Sequence, residues 1–76
     1  MSSMNTKILM KLGIRIKILR KQKGFTQETF AEKLGVHQTY IGKLELGKGN
    51  PSFMLVYKMS KTLGVSLHEF FEFDIK

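Results

Sequence analysis

Three side chains near the middle of the chain have the chemical types and the spacing needed to read nucleic-acid bases. Gln38 and Thr39 are neighbours and Lys43 follows about one turn later, so all three share one face of a helix. A glutamine amide offers adenine a donor and an acceptor, a threonine bonds a base edge or touches a thymine methyl, and a lysine suits guanine O6 and N7 or a phosphate. We therefore expect hydrogen bonds to base edges in a DNA major groove. The alternative is that Gln38 and Thr39 are only polar residues at a helix start.

Two short amphipathic helices hinged at Gly35 are the elements that must position these side chains. The first should begin after Thr26, a good N-cap, and run to Gly35. The second should run from about residue 38 to residue 46 and stop at Gly47, which makes it short enough to enter a major groove. The residues expected to face the core are Phe30 and Leu34 in the first of these helices and Ile41 and Leu44 in the second.

The segment before them, roughly residues 8–23, fits two patterns. Residues 14–18 alternate with the period of a strand, whereas other apolar residues recur at helical spacing and Gly24 supplies a C-terminal stop. The length of the segment and the helices that follow favour a helix. Ile14 and Ile18 would then form a second apolar strip, which a lone small domain would not normally expose. The residues at helical spacing are Leu12, Ile16 and Leu19.

Two further helices are predicted in the last third of the chain. The fourth should begin after Ser52 and end at Gly64, and the fifth should open with Ser66, where Glu69 completes a capping box. Five short helices with tight connections predict a compact all-α domain. The residues expected to be buried are Phe53, Val56, Met59 and Leu63 in the fourth helix and Leu67, Phe70 and Phe71 in the fifth.

The composition excludes several classes of protein. The length of 76 residues predicts one domain over residues 1–76. This length is near the lower limit for a chain that folds on its own hydrophobic core. It has no cysteine, which excludes disulfides, thiolate zinc sites and cysteine nucleophiles and suits a reducing cytoplasm. The opening residues lack the features of a signal peptide, and lysines interrupt the apolar runs too often for a membrane span. Since His37 and His68 have no metal-ligand or triad setting, we expect no enzyme, metal or cofactor.

The positive charge is unevenly distributed along the chain. Residues 1–50 contain ten Lys/Arg and three Asp/Glu, which gives +7, whereas residues 51–76 contain three of each and are neutral. Such asymmetry is expected when one part of a chain faces a polyanion and the other part packs or pairs. The alternative is a basic surface that is merely solvated.

The combined spacing of these residues resembles the Cro/repressor-type (Xre) helix-turn-helix family. The resemblance covers roughly residues 12–71 and leaves 72–76 as a tail. It implies a five-helix, lambda-repressor-like DNA-binding domain whose helices 2 and 3 form the helix-turn-helix, and a homodimeric regulator that binds a partly palindromic operator. Family precedent places the base readers at Gln38, Thr39 and Lys43. The residues that carry the resemblance are Thr26-Gln27, Phe30-Ala31, Leu34-Gly35-Val36, Ile41, Leu44-Glu45, Gly47 and Pro51, followed by Leu63-Gly64-Val65-Ser66-Leu67 and Phe70-Phe71.

The resemblance also implies roles for single residues. Gln27 is similar to the family glutamine that binds a phosphate and supports the reading glutamine. Arg20 and Glu45 match a pair that bridges the first and third helices near the DNA; the alternative is two unrelated surface charges. Glu28 and Glu32 match acids that touch RNA polymerase in some activating relatives, although two solubilising acids are the simpler interpretation. The other phosphate candidates are Tyr40, Lys48, Asn50 and, more weakly, His37.

Several positions depart from the family pattern. The usual glutamate in the first turn of the second helix is Thr29, which should weaken its capping box. The usual serine before the third helix is His37, a poorer cap whose imidazole could instead reach a phosphate. Gly42 stands where relatives carry a reading side chain, so the backbone could approach DNA closely or one base could go unread. Apolar residues occur where relatives are usually polar, at Ile14, Ile18, Met54 and Leu55, and Leu46 replaces a common asparagine.

The C-terminal tail is rich in aromatic residues. Phe70 and Phe71 can complete the core, which would leave Phe73 and Ile75 exposed among acids. An uncovered apolar patch usually marks an interface. We expect the tail to form a two-fold dimer contact together with outward residues of the fourth helix; the alternative is that it folds back over Ile14 and Ile18 within one subunit. The residues of the predicted contact are Met54, Leu55, Phe73 and Ile75.

Taken together, these features favour a dimeric, sequence-specific DNA-binding regulator of transcription. It would act as a small repressor or as the controller of a restriction–modification operon. The alternative is an antitoxin-like or partner-binding module that uses the same fold mainly to hold another protein. The short tail barely offers the extra arm that a toxin-binding version usually needs.

Overall fold

The computed structural model describes the backbone of residues 3–73 and the side chains of residues 5–73. Within this range the chain forms five α-helices and no strand, so the predicted all-α class is confirmed. No helix among these residues is long and apolar enough to cross a lipid bilayer. The helices are α1 (Ser3–Gln22), α2 (Gln27–Leu34), α3 (Gln38–Glu45), α4 (Phe53–Leu63) and α5 (Leu67–Phe70).

The segment of ambiguous pattern is the longest helix, α1. It begins at Ser3, so the predicted start near residue 8 is wrong. Residues 3–7 contain no glycine or proline that would stop a helix, and Ile8 and Leu9 are partly buried. The prediction of helix over strand is confirmed. The second apolar strip, Ile14 and Ile18, is exposed among the described residues.

Side-chain caps begin α2 and fix its entry. The Thr26 hydroxyl accepts a hydrogen bond from the Thr29 amide at 3.0 Å, as expected of an N-cap. The Thr29 hydroxyl in turn accepts from the Thr26 amide at 2.9 Å. The expectation that Thr29 weakens the capping box is therefore wrong in its geometry, because a hydroxyl reaches the N-cap amide as a carboxylate would. Gly35 ends the helix in the left-handed region, with φ 73°.

The last two helices also begin at the predicted caps. Ser52 accepts from the Leu55 amide at 3.1 Å. Ser66 and Glu69 form a complete capping box, with both hydrogen bonds at 3.0 Å. These side chains accept hydrogen bonds from backbone amides that have no partner within the first turn of the helix. Such bonds matter most for α5, because it has only four residues.

The core lies where the five helices of the described range converge. Helix α3 packs against α1 and α2, α4 packs against α2, and α5 packs against α1 and α4. Arg15 of α1 holds α5 in place, because it donates hydrogen bonds to the carbonyl oxygens of Glu69 at 2.6 Å and Phe70 at 3.2 Å. The buried apolar residues are Leu12, Ile16, Leu19, Phe30, Ala31, Leu34, Ile41, Leu44, Val56, Met59, Leu63 and Phe70.

Two aromatic residues predicted to be buried are exposed. Phe53 is 65% exposed, because it is the first residue of α4 and the core begins one turn later at Val56. Phe71 is 44% exposed, because α5 ends at Phe70 and the Phe71 ring packs edge-on against the buried Phe70 ring at a centroid distance of 5.4 Å. Leu67 is only partly buried.

As far as the described residues extend, the tail folds back over α1, which is the predicted alternative to a dimer contact. Phe73 is half-buried against the core rather than exposed, and it lines a depression together with Ile14 and Ile18 of α1. The expectation that Phe73 is left exposed is therefore wrong, because α1 offers an apolar strip within its reach. Ile75 lies outside the described residues.

Gly13 permits a close crossing of α1 and α3. A Cβ added at this position would meet the carbonyl oxygen of Leu44 and would lie 2.8 Å from the carbonyl oxygen of Glu45. Both atoms belong to the backbone of the last turn of α3, which cannot move without shifting the whole helix. The absence of a side chain at Gly13 therefore sets how deeply α3 seats on α1.

The role of Gly13 is tested by comparing two glycine-to-alanine substitutions. We expect Gly13→Ala to lower the free energy of unfolding by at least about 1–3 kcal/mol through overpacking. Gly42→Ala is the matched control, because its Cβ would lie 3.5 Å from Gln27 Oε1, an ordinary contact. Removing a mid-helix glycine should stabilise by about 0.5–1 kcal/mol. Urea denaturation measures both; equal stability of the two variants would contradict the close crossing.

Candidate nucleic-acid interface

A buried ion pair joins the end of α1 to the end of α3. Arg20 Nε donates to Glu45 Oε2 at 2.6 Å and Arg20 Nη2 donates to Glu45 Oε1 at 3.1 Å, so the predicted bidentate pair is present. The two side chains are only 6% and 3% exposed. Arg20 Nη1 also donates to the carbonyl oxygen of Phe25 at 2.8 Å, which ties in the loop before α2. The pair therefore fixes α1, α3 and the entry to α2 relative to one another.

Gln27, at the start of α2, extends this ion pair to a third helix. Its Nε2 donates to Glu45 Oε1 at 3.0 Å. The Glu45 carboxylate thus accepts three hydrogen bonds, and no buried side-chain nitrogen or oxygen in the described range lacks a partner. Each amide nitrogen carries two hydrogens, so Gln27 keeps one donor for another acceptor. Sequence reasoning assigned Gln27 to phosphate and to Gln38 and missed its bond to Glu45.

His37 serves as the N-cap of α3. Its Nδ1 accepts a hydrogen bond from the Thr39 amide at 3.1 Å, so the imidazole caps the helix instead of leaving the cap open. An imidazole that accepts at Nδ1 carries its hydrogen on Nε2. The His37 side chain is exposed, and its Nε2 is therefore a donor available at the surface.

The three predicted base readers share the exposed surface of α3. Gln38 and Thr39 are the first two residues of the helix, and Lys43 lies about one turn further on; all three are exposed. The opposite face holds Ile41 and Leu44 in the core. A short helix that is anchored on one side and polar at its outward N-terminal end has the geometry of direct base readout.

An open depression of about 560 Å³ lies where the starts of α2 and α3 meet. Gln27 and Gln38 both line it, and so do Lys21 and Glu28. Amide groups at the start of α2 and the lysine make this recess attractive to an anion such as a phosphate. Lys21 was missed by sequence reasoning, since a lysine near the end of a basic helix carries no signal of where that helix ends in space.

The remaining phosphate candidates lie around and beyond α3. Tyr40 is half-buried, whereas Lys48 and Asn50 are exposed in the loop that follows the helix. Asn50 lines a second depression, together with residues of the first turns of α1. Gln27 and Lys21 therefore lie by the N-terminal end of α3, and the loop residues follow its C-terminal end. This distribution gives candidate backbone contacts on either side of the base readers.

The other predicted surface residues fall on different faces. Glu28 lines the depression beside Gln38, and Glu32 is exposed one turn further along α2. On α4, Met54 is exposed and Leu55 is half-buried. Phe73 lies against α1, so the structure does not gather it with Met54 into one described patch. No group of three His, Asp or Glu side chains in the described range could hold a metal ion.

The arrangement defines a class of protein. Helices α2 and α3 are joined by a tight turn at Gly35, α2 braces α3 through Gln27 and Glu45, and the polar start of α3 faces outward. This is a helix-turn-helix unit with its recognition helix presented for the major groove.

Comparisons with known proteins agree with this class. A helix-turn-helix family model, HTH_3, matches residues 16–70. An HTH-type transcriptional regulator of Archaeoglobus fulgidus is 42% identical over 60 residues, which span 79% of this chain and 86% of that protein. The crystal structure of C.AhdI, a restriction–modification controller protein from Aeromonas hydrophila, has a TM-score of 0.78 and 36% identity over 83% of this chain and 96% of its own.

The structure of a third relative has been determined in complex with DNA. The HTH-type transcriptional regulator SinR of Bacillus subtilis is 41% identical over 58 residues, which span 75% of this chain and 52% of SinR. A crystal structure of SinR in complex with DNA matches with a TM-score of 0.73 and 39% identity over 80% of this chain and 98% of that chain. The chain belongs to the HTH_3 helix-turn-helix family, of the Xre type, and is a DNA-binding transcriptional regulator.

The buried network is tested by a double-mutant cycle on Arg20 and Glu45. Glu45→Met and Arg20→Met should each cost about 3–5 kcal/mol of stability, because each leaves a buried charge without its counter-charge. The double variant Arg20→Met/Glu45→Met should lose much less than the sum of the two single substitutions, since no uncompensated charge remains. Urea denaturation of the four proteins measures the coupling. Additive losses would contradict a buried, mutually dependent pair.

Proposed function

We propose that this regulator binds a partly palindromic DNA operator as a homodimer and reads it with Gln38, Thr39 and Lys43. The observation that carries the proposal is the network centred on Glu45, which holds α3 rigidly while its polar N-terminal end stays exposed. Gln38 suits adenine, Thr39 suits a base edge or a thymine methyl, and Lys43 suits guanine. The absence of cysteine is consistent with action in the cytoplasm, where DNA is the partner.

Phosphate contacts would set the register of the recognition helix. Gln27 has one amide hydrogen left after its bond to Glu45, and His37 Nε2 is a surface donor once Nδ1 caps α3. Tyr40, Lys48 and Asn50 would add contacts near and beyond the other end of α3. Such contacts fix orientation and affinity without carrying sequence information.

The second copy would bind through the outward face of α4. Phe53, Met54 and Tyr57 are all exposed there, and Leu55 is only half-buried. Apolar side chains grouped on one helix face usually mark an interface. A two-fold contact would place the two recognition helices about one DNA turn apart, so half-sites would lie about 10 bp apart, centre to centre, or at a multiple of that. This assignment replaces Phe73 with Phe53 and Tyr57 in the dimer contact.

Repression by occlusion is the simplest regulatory outcome of such binding. Contact of Glu28 and Glu32 with RNA polymerase is the alternative, which would make the regulator an activator. Glu28 lines the same depression as Gln38, so it would face the DNA side when α3 occupies the groove. Of the two acids, only Glu32 would then be free to contact RNA polymerase. We therefore favour repression over activation.

Base reading is tested at Gln38. Gln38→Ala should cost about 1–3 kcal/mol on the cognate operator and relax the base preference at one position, because a bidentate contact is lost. Lys48→Ala is the control: it should weaken cognate and random DNA alike and reduce the salt slope by about one phosphate contact. Fluorescence anisotropy over a salt series measures both variants. A loss at Gln38 that is equal on random DNA would remove Gln38 from the readers.

The dimer contact is tested by placing charge on α4. Met54→Lys should weaken self-association at least about tenfold, equivalent to about 1.4 kcal/mol, because it buries a charge at the contact. Ile18→Lys is the matched control, since it adds the same charge to an exposed apolar residue on α1. Sedimentation at micromolar concentration compares the two variants with the unmodified chain. Dissociation by Ile18→Lys and not by Met54→Lys would place the contact on α1 instead.

A further inference from the structure

The outward face of α1 carries an apolar stripe that neither the core nor the proposed DNA contacts use. Met10, Ile14 and Ile18 follow one another at intervals of four residues, which places them on one side of the helix. They are 50%, 54% and 42% exposed. The core side of the same helix is formed by Leu12 and Ile16. Helix α1 is thus apolar on two opposite faces, and the described residues cover only one of them.

Two shallow depressions border the stripe and together form a groove along α1. Between α1 and the tail, Ile14, Ile18 and Phe73 line a depression of about 360 Å³. On the other side of Ile14, a depression of about 260 Å³ is lined by Met10 and Lys7. Ile14 borders both, so it forms a ridge with a recess on each side. Neither depression shares a residue with the one that holds Gln27 and Gln38.

The charge around this groove is strongly one-sided. Residues 1–24 contain seven Lys/Arg and no Asp/Glu, whereas residues 25–76 contain six of each, so the first 24 residues carry the whole net charge of +7. Lys7 and Lys17 are exposed on α1 and form no ion pair within the described part of the chain. Glu72 is the described acid that lines the groove. An occupant therefore meets an apolar floor with a largely cationic rim.

We propose that this α1 groove, defined by Met10, Ile14, Ile18 and Phe73, docks an acidic amphipathic helix of a partner protein. Such a helix would place its apolar residues in the recesses beside Ile14 and its carboxylates toward Lys7 and Lys17, which is the helix-in-groove mode of recognition. Charge complementarity selects this occupant. A second copy of the chain would bring two cationic helices face to face, and a flat anionic lipid surface could not fill recesses on both sides of a ridge.

Because the groove and the base-reading surface share no residue, the partner would bind the regulator while it stays on DNA. The groove therefore offers a means of adding a co-regulator to the bound protein, rather than of displacing it from the operator. The inference does not depend on which bases are read or on how the dimer forms.

The experiment uses two labelled peptides of about 18 residues with leucines at one helical face. One carries glutamate at the flanking positions and the other carries lysine at the same positions. Fluorescence anisotropy with the full chain at low salt should show saturable binding of the glutamate peptide and at least about tenfold weaker binding of the lysine peptide. Ile14→Gln should weaken binding of the glutamate peptide at least about tenfold. Leu46→Gln, at an exposed apolar residue after α3 that lines neither depression, should leave binding unchanged.

Several results would overturn the proposal. They are absence of saturable binding, equal binding of the two peptides, or binding that Ile14→Gln leaves unchanged or that Leu46→Gln weakens as much as Ile14→Gln does. If phosphatidylglycerol vesicles retain the chain in an Ile14-dependent way and the glutamate peptide does not bind, the face is a membrane surface. If Ile14→Gln instead dissociates the dimer in sedimentation, the occupant is a second copy. Circular dichroism and random-DNA binding of each variant establish that the fold is intact, and neither readout depends on the operator.

Discussion

The Glu45 carboxylate is the group on which the rest of the structure depends. It sits at the end of the recognition helix and accepts hydrogen bonds from Arg20 of α1 and Gln27 of α2, so one buried anion joins three helices. Arg20 Nη1 also donates to the Phe25 carbonyl oxygen, which carries the same constraint to the start of α2. Buried ion pairs are often neutral for stability but strict in geometry. Here the geometry is what the function needs, because base readout requires that α3 be held at a fixed angle and depth.

Helix α1 supplies the other half of that constraint through the missing side chain at Gly13. The backbone of α3 approaches so closely that no Cβ fits between the two helices. Helix α1 lies within the first 24 residues, which carry the whole net charge of +7, and its far side has an apolar stripe that the described residues leave uncovered. Helix α1 therefore sets where α3 lies, through Gly13 and Arg20, and it presents the apolar stripe at the surface.

Much of the fold could be predicted because it is encoded locally. Thr26, Ser52 and Ser66 begin helices and Gly35 and Gly64 end them, since a hydroxyl acceptor and a left-handed backbone act within one turn. The exposure of Phe53 and Phe71 could not be predicted, because hydrophobicity does not say where the core stops. For the same reason the sequence leaves the docking of Phe73 on α1 as one of two alternatives. The ion pair of Arg20 with Glu45 came from family resemblance, whereas the third bond, from Gln27, depends on side-chain reach across helices. Gly13 did carry a signal: a glycine inside a helix is costly and often marks a close approach.

The central claim is that the rigidly held start of α3 reads specific bases in two symmetric copies. Selection of bound sequences from random duplex DNA tests it most directly. If two symmetric copies of α3 read the bases, the selected sequences should contain a short motif in inverted repeat. Its two halves should lie about 10 bp apart, or a multiple of that, centre to centre, on one face of the duplex. Recovery of unenriched sequence, with affinity set by salt alone, would show that the protein binds the phosphate backbone without reading it. That result would contradict the account.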